Sequence, residues 1–254
     1  MFHQRILSPM FTLQPKYPTP ETFPVPVIDF ALPDVSACST IPRNIYQTWI
    51  TKDLQPRMAA AIEKLKAANP SFQHELFDNA DCRAFIQDHY PPQVLQAYDA
   101  LIPGAYKADL WRYCVLYLRG GVYLDIKFEP VNGFSFAQVC NAERFCYDKP
   151  SVTPKRNAIY NAFMITYPGN YAIGKCIYAI CQHVRTKFYG STPLAPTGPI
   201  LLGQFVRKTQ CVFENGFDHI ILHKKAVLQQ YSTPELSVPL HYSKLWHAQT
   251  IYRH

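Results

Sequence analysis

In the stretch "GGVYLDIKFEP", residues 120–130, Asp125 and Lys127 stand two positions apart. Side chains two apart on a strand project to the same side. A strand here would therefore present a carboxylate and an ammonium together. The carboxylate could hold a hard divalent cation or a hydroxyl. The ammonium cannot bind a metal while protonated, but it could contact phosphate directly. Upstream, in "YKADLWRYC", Asp109 and Arg112 are three apart and share a helical face. Taken alone, the first pair also suits an ordinary polar strand face, and the second a surface ion pair worth little.

The elements that would position these groups are legible in outline. "IPRNIYQTWI" is β-branched and aromatic and predicts a first strand entered from Pro42. "PRMAAAIEKLKAANP" predicts a helix with Met58, Ile62, Leu65 and Lys66 near one stripe, ended by Asn69-Pro70. A short strand ("SFQHELFDN") and two helices flanking Pro91-Pro92 follow. In "AYKADLWRYCVLYLRGG", Trp111, Cys114, Val115 and Leu118 have helical spacing and predict a buried stripe. Gly120-Gly121 should end that helix in a left-handed cap. The next strand is expected to alternate, with Val122, Leu124, Ile126 and Phe128 on one face. Tyr123, Asp125, Lys127 and Glu129 would take the other. Tyr123, Asp125 and Lys127 then sit at the strand's C-terminal end, where ligands bind in open α/β sheets. Later segments read as a strand ("NAFMITYPGN"), a helix ("AIGKCIYAICQHVRTKF"), a turn into a helix ("TGPILLGQFVRK") and a strand ("DHIILHKKAV"). Alternating strands and helices predict an α/β layer fold.

The 254 residues suffice for one large domain, here 41–254, preceded by a Pro-rich arm at 1–40 that lacks a helical period. Hydrophobic residues at 48% against charged residues at 17% place the chain among globular proteins. The charge, 25 − 18 = +7, suits anionic partners or a merely solvated basic surface. Lys and Arg are scattered and no groove-reading motif occurs, which disfavours a nucleic-acid binder. Eight cysteines without a CxxC pair argue against a zinc site and for reduced thiols. With no convincing signal peptide and no apolar run of membrane-spanning length, the expected location is cytoplasmic, with a membrane-peripheral position compatible. Phosphate-loop and dinucleotide fingerprints are absent, as are carboxylates paired in glycosidase fashion.

"IPRNIYQTW", "AYKADLWRYCVLYLRGGVYLD", "TGP" and a C-terminal His and Trp occur in one order. Over roughly residues 41–250 that combination resembles glycosyltransferase family 32, the DXD-type sugar transferases. The resemblance implies a GT-A fold, a Rossmann-like nucleotide-sugar-binding α/β fold with a central mixed sheet flanked by helices. It implies a nucleoside-diphosphate-sugar donor (UDP- or GDP-linked), a glycan or other hydroxyl acceptor, Mn²⁺ or Mg²⁺, and transfer of a hexose with retention. The alternative is a GT-A-like nucleotide- or sugar-binding module without turnover. By the same resemblance Gln47, Thr48 and Trp49 would meet the nucleobase. Asp109 would bind donor hydroxyls, Arg112 would lie near the sugar or phosphate, and Tyr123 and Asp125 would belong to the motif strand. Asn161 would sit near the sugar, and Ser243 and Trp246 would close over the diphosphate. The chain departs from the pattern where Lys127 stands at the second Asp of DXD. A metal would then need another ligand from the tail, His241 before His247. Asp125, Lys127 and Arg112 are the residues expected to act on the departing diphosphate.

Overall fold

The computed structural model describes residues 30–35, 38–149, 158–216, 218–231 and 241–253. Most of the Pro-rich arm, residues 1–29 and 36–37, lies outside them. Its described end packs on the domain: Phe30 stacks on Tyr178 at 4.6 Å and its carbonyl accepts the Tyr178 hydroxyl at 2.7 Å.

The first strand, β1 (Asn44–Thr48), pairs in parallel with β2 (Gln73–Phe77) through helix α1 (Pro56–Ala68). Met58, Ala61, Ile62 and Leu65 form the buried stripe of α1. Lys66, expected near that stripe, is instead exposed and paired with Glu63 at 2.8 Å, because its ammonium gains nothing from burial. Asp78 caps α2 (Asn79–His89) in a reciprocal capping box with Asp81. Helix α3 (Pro92–Ala100) starts on the proline pair. Helix α4 (Gly104–Arg119) is buried on almost every side from Asp109 to Leu116, a wider face than the spacing suggested, and Leu118 is only half-buried.

Gly120 ends α4 with φ 63° and ψ −165°, a conformation beyond the expected left-handed cap. Only glycine fits, since a Cβ there would lie 2.6 Å from Cδ of Pro168. Strand β3 (Gly121–Leu124) follows and pairs in parallel with β1. It ends sooner than expected. Asp125, Ile126 and Lys127 form a turn, closed by the Phe128 amide donating to the Asp125 carbonyl at 3.1 Å. Strand β4 (Phe128–Pro130) then pairs with β9, so the single alternating strand expected over 122–129 is two strands and a turn. The reason is that both faces of β3 are already buried, Val122 and Leu124 in one core cluster and Tyr123 in another. A charged pair cannot continue such a strand.

Strand β6 (Ile159–Thr166) runs antiparallel to both β3 and β5 (Arg144–Tyr147). Strand β7 (Cys211–Asn215) runs parallel to β5. The C-terminal ends of β1, β2, β3, β5 and β7 thus share one edge of the sheet, and β6 begins there. The segment "DHIILHKKAV", expected as one strand, is a hairpin of β8 (His219–Leu222) and β9 (Lys225–Gln230). His223 and Lys224 turn it with φ of 48° and 64°. Among the described residues the nine strands form one sheet in the order β2-β1-β3-β6-β5-β7-β8-β9-β4. Since β4 follows β3 across one short turn, that order curls back on itself. Helix α5 (Tyr171–Thr186) packs against α4, and the short helices α6 (Pro199–Gly203) and α7 (Tyr242–His247) border the shared edge. All eight cysteines are unpaired. No helix of the described residues is long and apolar enough to cross a membrane.

Candidate active site at the C-terminal edge of the sheet

A cavity of about 410 Å³ opens at this edge. Helix α4 supplies Tyr106, Asp109 and Arg112, and the turn after β3 supplies Asp125 and Lys127. Strand β6 adds Tyr160 and Asn161, the ends of β5 and β7 add Asp148 and Asn215, and Tyr242 comes from α7.

Arg112 is the hub. It is 6% exposed, so its charge must be met inside the protein. Nη1 donates to the Asn161 carbonyl at 2.8 Å and lies 3.4 Å from Oδ1 of Asp125. Nη2 lies 3.5 Å from Oδ1 of Asp109. Nε donates to the Ala108 carbonyl at 3.1 Å, and the guanidinium sits 4.4 Å over the Tyr123 ring. Burial works against the charge, but Tyr123, Asp125 and Asp109 outweigh it and raise the Arg112 pKa. Asp109 is no surface residue either: it is 7% exposed. Its Oδ2 accepts the Thr197 hydroxyl at 2.6 Å and its Oδ1 accepts the Asn161 amide at 2.8 Å. Burial raises its pKa, while Arg112, Thr197 and Asn161 pull the other way. Tyr123 donates its hydroxyl to Oδ1 of Asp125 at 2.8 Å. The Asp125 amide donates to the Ala162 carbonyl at 2.8 Å, which fixes the turn to the start of β6.

Lys127 lines the cavity two residues on, and its ammonium makes no hydrogen bond or ion pair among the described residues. Its backbone carbonyl accepts the Tyr231 amide at 3.0 Å, so the turn is tied to the end of β9. The strand reading placed Asp125 and Lys127 on one face; the turn still brings both to one cavity.

The structure brings Asp109, Arg112, Tyr123, Asp125 and Asn161 into direct contact with one another. It does not bring Gln47, Thr48, Trp49, His241, Ser243 or Trp246 to the cavity wall. Gln47 is fully buried on β1, where its Oε1 accepts from His74 Nε2 at 2.8 Å and its Nε2 donates to the Asp125 carbonyl at 3.5 Å. The Thr48 hydroxyl donates to the Phe77 carbonyl at 2.9 Å. Trp49 is half-buried against the cluster of Met58, Ile126 and Tyr231. Ser243 and Trp246 lie on α7. Trp246 donates its indole N–H to the Tyr189 carbonyl at 2.7 Å, and only Tyr242 of that helix reaches the cavity. His241 is exposed, and its Nδ1 accepts the Ser243 amide at 3.3 Å.

Among the described residues no three His, Cys, Asp or Glu side chains converge on a possible metal position. Oδ1 of Asp125 already accepts from Tyr123 and faces Arg112, and a second cation, Lys127, stands where a second carboxylate would be needed.

Four residues at this edge escaped the sequence reading. Thr197, within the quoted "TGP", holds Asp109. Tyr160, Asp148 and Asn215 carried no local signal, because they meet only once β5, β6 and β7 are paired.

The family described as "Glycosyltransferase sugar-binding region containing DXD motif" matches residues 55–145. "Uncharacterized glycosyltransferase L373" of Acanthamoeba polyphaga mimivirus is 34% identical over 88 residues, 34% of this chain and 35% of that protein. "Inositol phosphoceramide mannosyltransferase 2" of Schizosaccharomyces pombe is 34% identical over 104 residues, 41% of this chain and 30% of that one. The chain thus spans about a third of the length of these curated relatives. Among solved structures, the PaToxG glycosyltransferase superposes with a TM-score of 0.52 at 19% identity, over 65% of this chain and 69% of that one. The resemblance read from the motifs holds over the matched region, and the GT-A fold it implied is the fold observed.

Proposed function

We propose, from a chain whose residues 55–145 are a DXD-type glycosyltransferase sugar-binding region on a GT-A fold, that the protein is a retaining hexosyltransferase using a nucleoside-diphosphate sugar. The observation that carries this reading is Arg112, held between Asp109 and Asp125 over Tyr123, at a cavity that also contains Lys127. In such a transfer the bond between the anomeric carbon and the phosphate oxygen breaks with its electron pair going to the diphosphate. The acceptor oxygen bonds to that carbon from the same face and releases its proton. The chemical demand is to stabilise the growing negative charge on the diphosphate. Lys127 meets that demand as an uncommitted ammonium, with Arg112 behind it. Asp109 and Asp125 accept hydrogen bonds from sugar or ribose hydroxyls. The 410 Å³ cavity takes the sugar and diphosphate end of the donor. The nucleobase end is assigned to the Gln47–Trp49 edge of β1, and Ser243 and Trp246 to the cover over the diphosphate. A mannosyl donor follows from the name of the fission-yeast relative, and the acceptor is a glycan or another polyol hydroxyl.

Calorimetric titration of GDP and UDP, each with EDTA and with Mn²⁺, tests this reading. Binding of equal strength in both conditions is expected from Lys127. Binding only with Mn²⁺ would assign the cation to Asp125 with His241. Asp125→Ala should abolish transfer and leave the fold intact; full activity in that variant would sink the assignment. A binding module without turnover is favoured by one observation, the lysine in place of the second acid. It would bind nucleotide and release no free sugar from the donor.

A further inference from the structure

The cavity has a second carboxylate pole that the donor does not use. Asp148 follows β5 directly, and Asn215 ends β7. These strands are parallel, with Tyr147 opposite Glu214, so Asp148 and Asn215 emerge side by side at the ligand edge. Asp148 is 6% exposed and Asn215 equally so, yet both line the cavity. Oδ1 of Asp148 accepts the Asn215 amide at 3.1 Å and the Lys149 backbone amide at 2.8 Å. No described residue bonds to Oδ2, and the side chain lines the cavity. Asp109 and Asp125 share Arg112, whereas Asp148 has no salt bridge among the described residues and feels the charge of Lys149, which lines the same cavity.

A nine-tenths buried carboxylate with one oxygen anchored and the other unbonded among the described residues is an expensive feature unless a hydrogen-bond donor completes it. A diphosphate cannot, because two anions would repel. A hydroxyl can. Tyr160 lines the cavity together with Asp125 and Asp148, and its phenol is held neutral by burial first, then by these two carboxylates. Both carboxylates therefore face one cavity of about 410 Å³.

We propose that Oδ2 of Asp148, anchored by Asn215, is the acceptor subsite: it receives the hydrogen bond of a polyol hydroxyl and orients that hydroxyl toward the donor sugar. The assignment rests on the transferase reading above, but it concerns the opposite partner of the reaction.

The test uses the full chain with methyl α-mannopyranoside and myo-inositol as polyol probes, read by saturation-transfer NMR with GDP present. GDP affinity is measured in parallel. The wild type should saturate at least one probe. Asp148→Asn should weaken that probe about tenfold to a hundredfold, the range of a hydrogen bond to a charged group, while GDP affinity stays within about twofold. Asn215→Ala, which keeps the carboxylate but frees it, should weaken the same probe less and likewise spare GDP. Loss of GDP binding in parallel with the probe would put Asp148 on the donor side and overturn the proposal. So would unchanged probe binding in Asp148→Asn, or no saturation of either probe by the wild type. If no nucleotide binds to the wild type, the donor reading fails separately, and a polyol signal that still depends on Asp148 would stand without it.

Discussion

At the residue scale Arg112 and Lys127 take different tasks at the site. Arg112 is buried and fully engaged, with Asp109, Asp125, two backbone carbonyls and the Tyr123 ring around it. Removing it leaves two carboxylates in a low-dielectric site without their counter-charge. Arg112→Ala should therefore cost about 3–5 kcal/mol of stability, the range for breaking a buried pair. Lys127 is half-buried, makes no ion pair among the described residues, and faces the cavity. Lys127→Ala should change stability by less than about 0.5 kcal/mol, as for a surface substitution without a named partner. Its loss should appear in nucleotide affinity, by about tenfold, because a charge-assisted phosphate contact disappears. Urea denaturation and calorimetry on the two variants separate these effects. A reversed pattern, with Lys127→Ala destabilised and Arg112→Ala impaired only in binding, would exchange the two roles. The residue types at 109, 112, 125 and 127 were legible from spacing alone. Their burial was not, since a pair three apart looks the same on a surface helix and in a core.

At the scale of elements, the site depends on joints between strands. Gln47 on β1 bridges His74 on β2 to the carbonyl of Asp125 after β3, so three neighbouring strand ends are linked through one buried amide. His74 serves this bridge as a neutral ring. Burial, with a further contribution from Lys66, depresses its pKa to about 4. An unfolded histidine titrates near pH 6.5. Between those values the unfolded chain binds a proton that the folded chain does not, which favours unfolding. The stability associated with His74 is thus complete above about pH 6.5 and is lost as pH falls toward 4, by up to ~3 kcal/mol. His74→Gln keeps a hydrogen-bonding side chain without a titrating ring. Its stability should fall less steeply than that of the wild type across this window, measured by urea denaturation at pH 7, 5.5 and 4.5. The buried acids Asp109 and Asp148 titrate in both proteins, so the difference between the two curves isolates the histidine. Parallel curves would mean the ring is protonated in the folded state. Helix α4 and its glycine stop were readable because a 16-residue helix carries several turns of period. Strands β5 and β7 were not, being four and five residues long with mixed faces, and their parallel pairing joins positions 67 apart. The end of β3 at Leu124 was missed because alternation continues in the sequence after the backbone has turned.

At the scale of the whole molecule, the sheet gathers chemistry at one edge, while residues 30–35, the described end of the arm, pack on α5 and the turn before it. None of the six lines the cavity. Phe30 is 9% exposed and stacks on Tyr178, which also donates to its carbonyl. Leu32 lies so close to Gly174 that a Cβ there would meet its Cδ1 at 3.3 Å, and Val35 approaches Gly169. The strap therefore covers apolar surface of the same core cluster that backs α4. Composition suggested only an extended arm; nothing in a Pro-rich stretch without a period announces which of its residues will anchor. Burial of Phe30 and part of Leu32, at ~1.5–3 kcal/mol for a fully buried side chain, offsets the entropy of ordering the strap. A chain beginning at residue 38 should then melt below one beginning at residue 30, by about 2–4 °C for each kcal/mol of net gain in a domain of this size. Both should bind GDP with equal affinity, because the strap contributes no residue to the cavity lining. Equal melting temperatures would show that residues 30–35 contribute no net stability. A loss of GDP affinity confined to the shorter chain would mean that α5 passes the strap's packing on to α4, and that Arg112 and Asp109 keep their geometry only when the far side of their helix is covered.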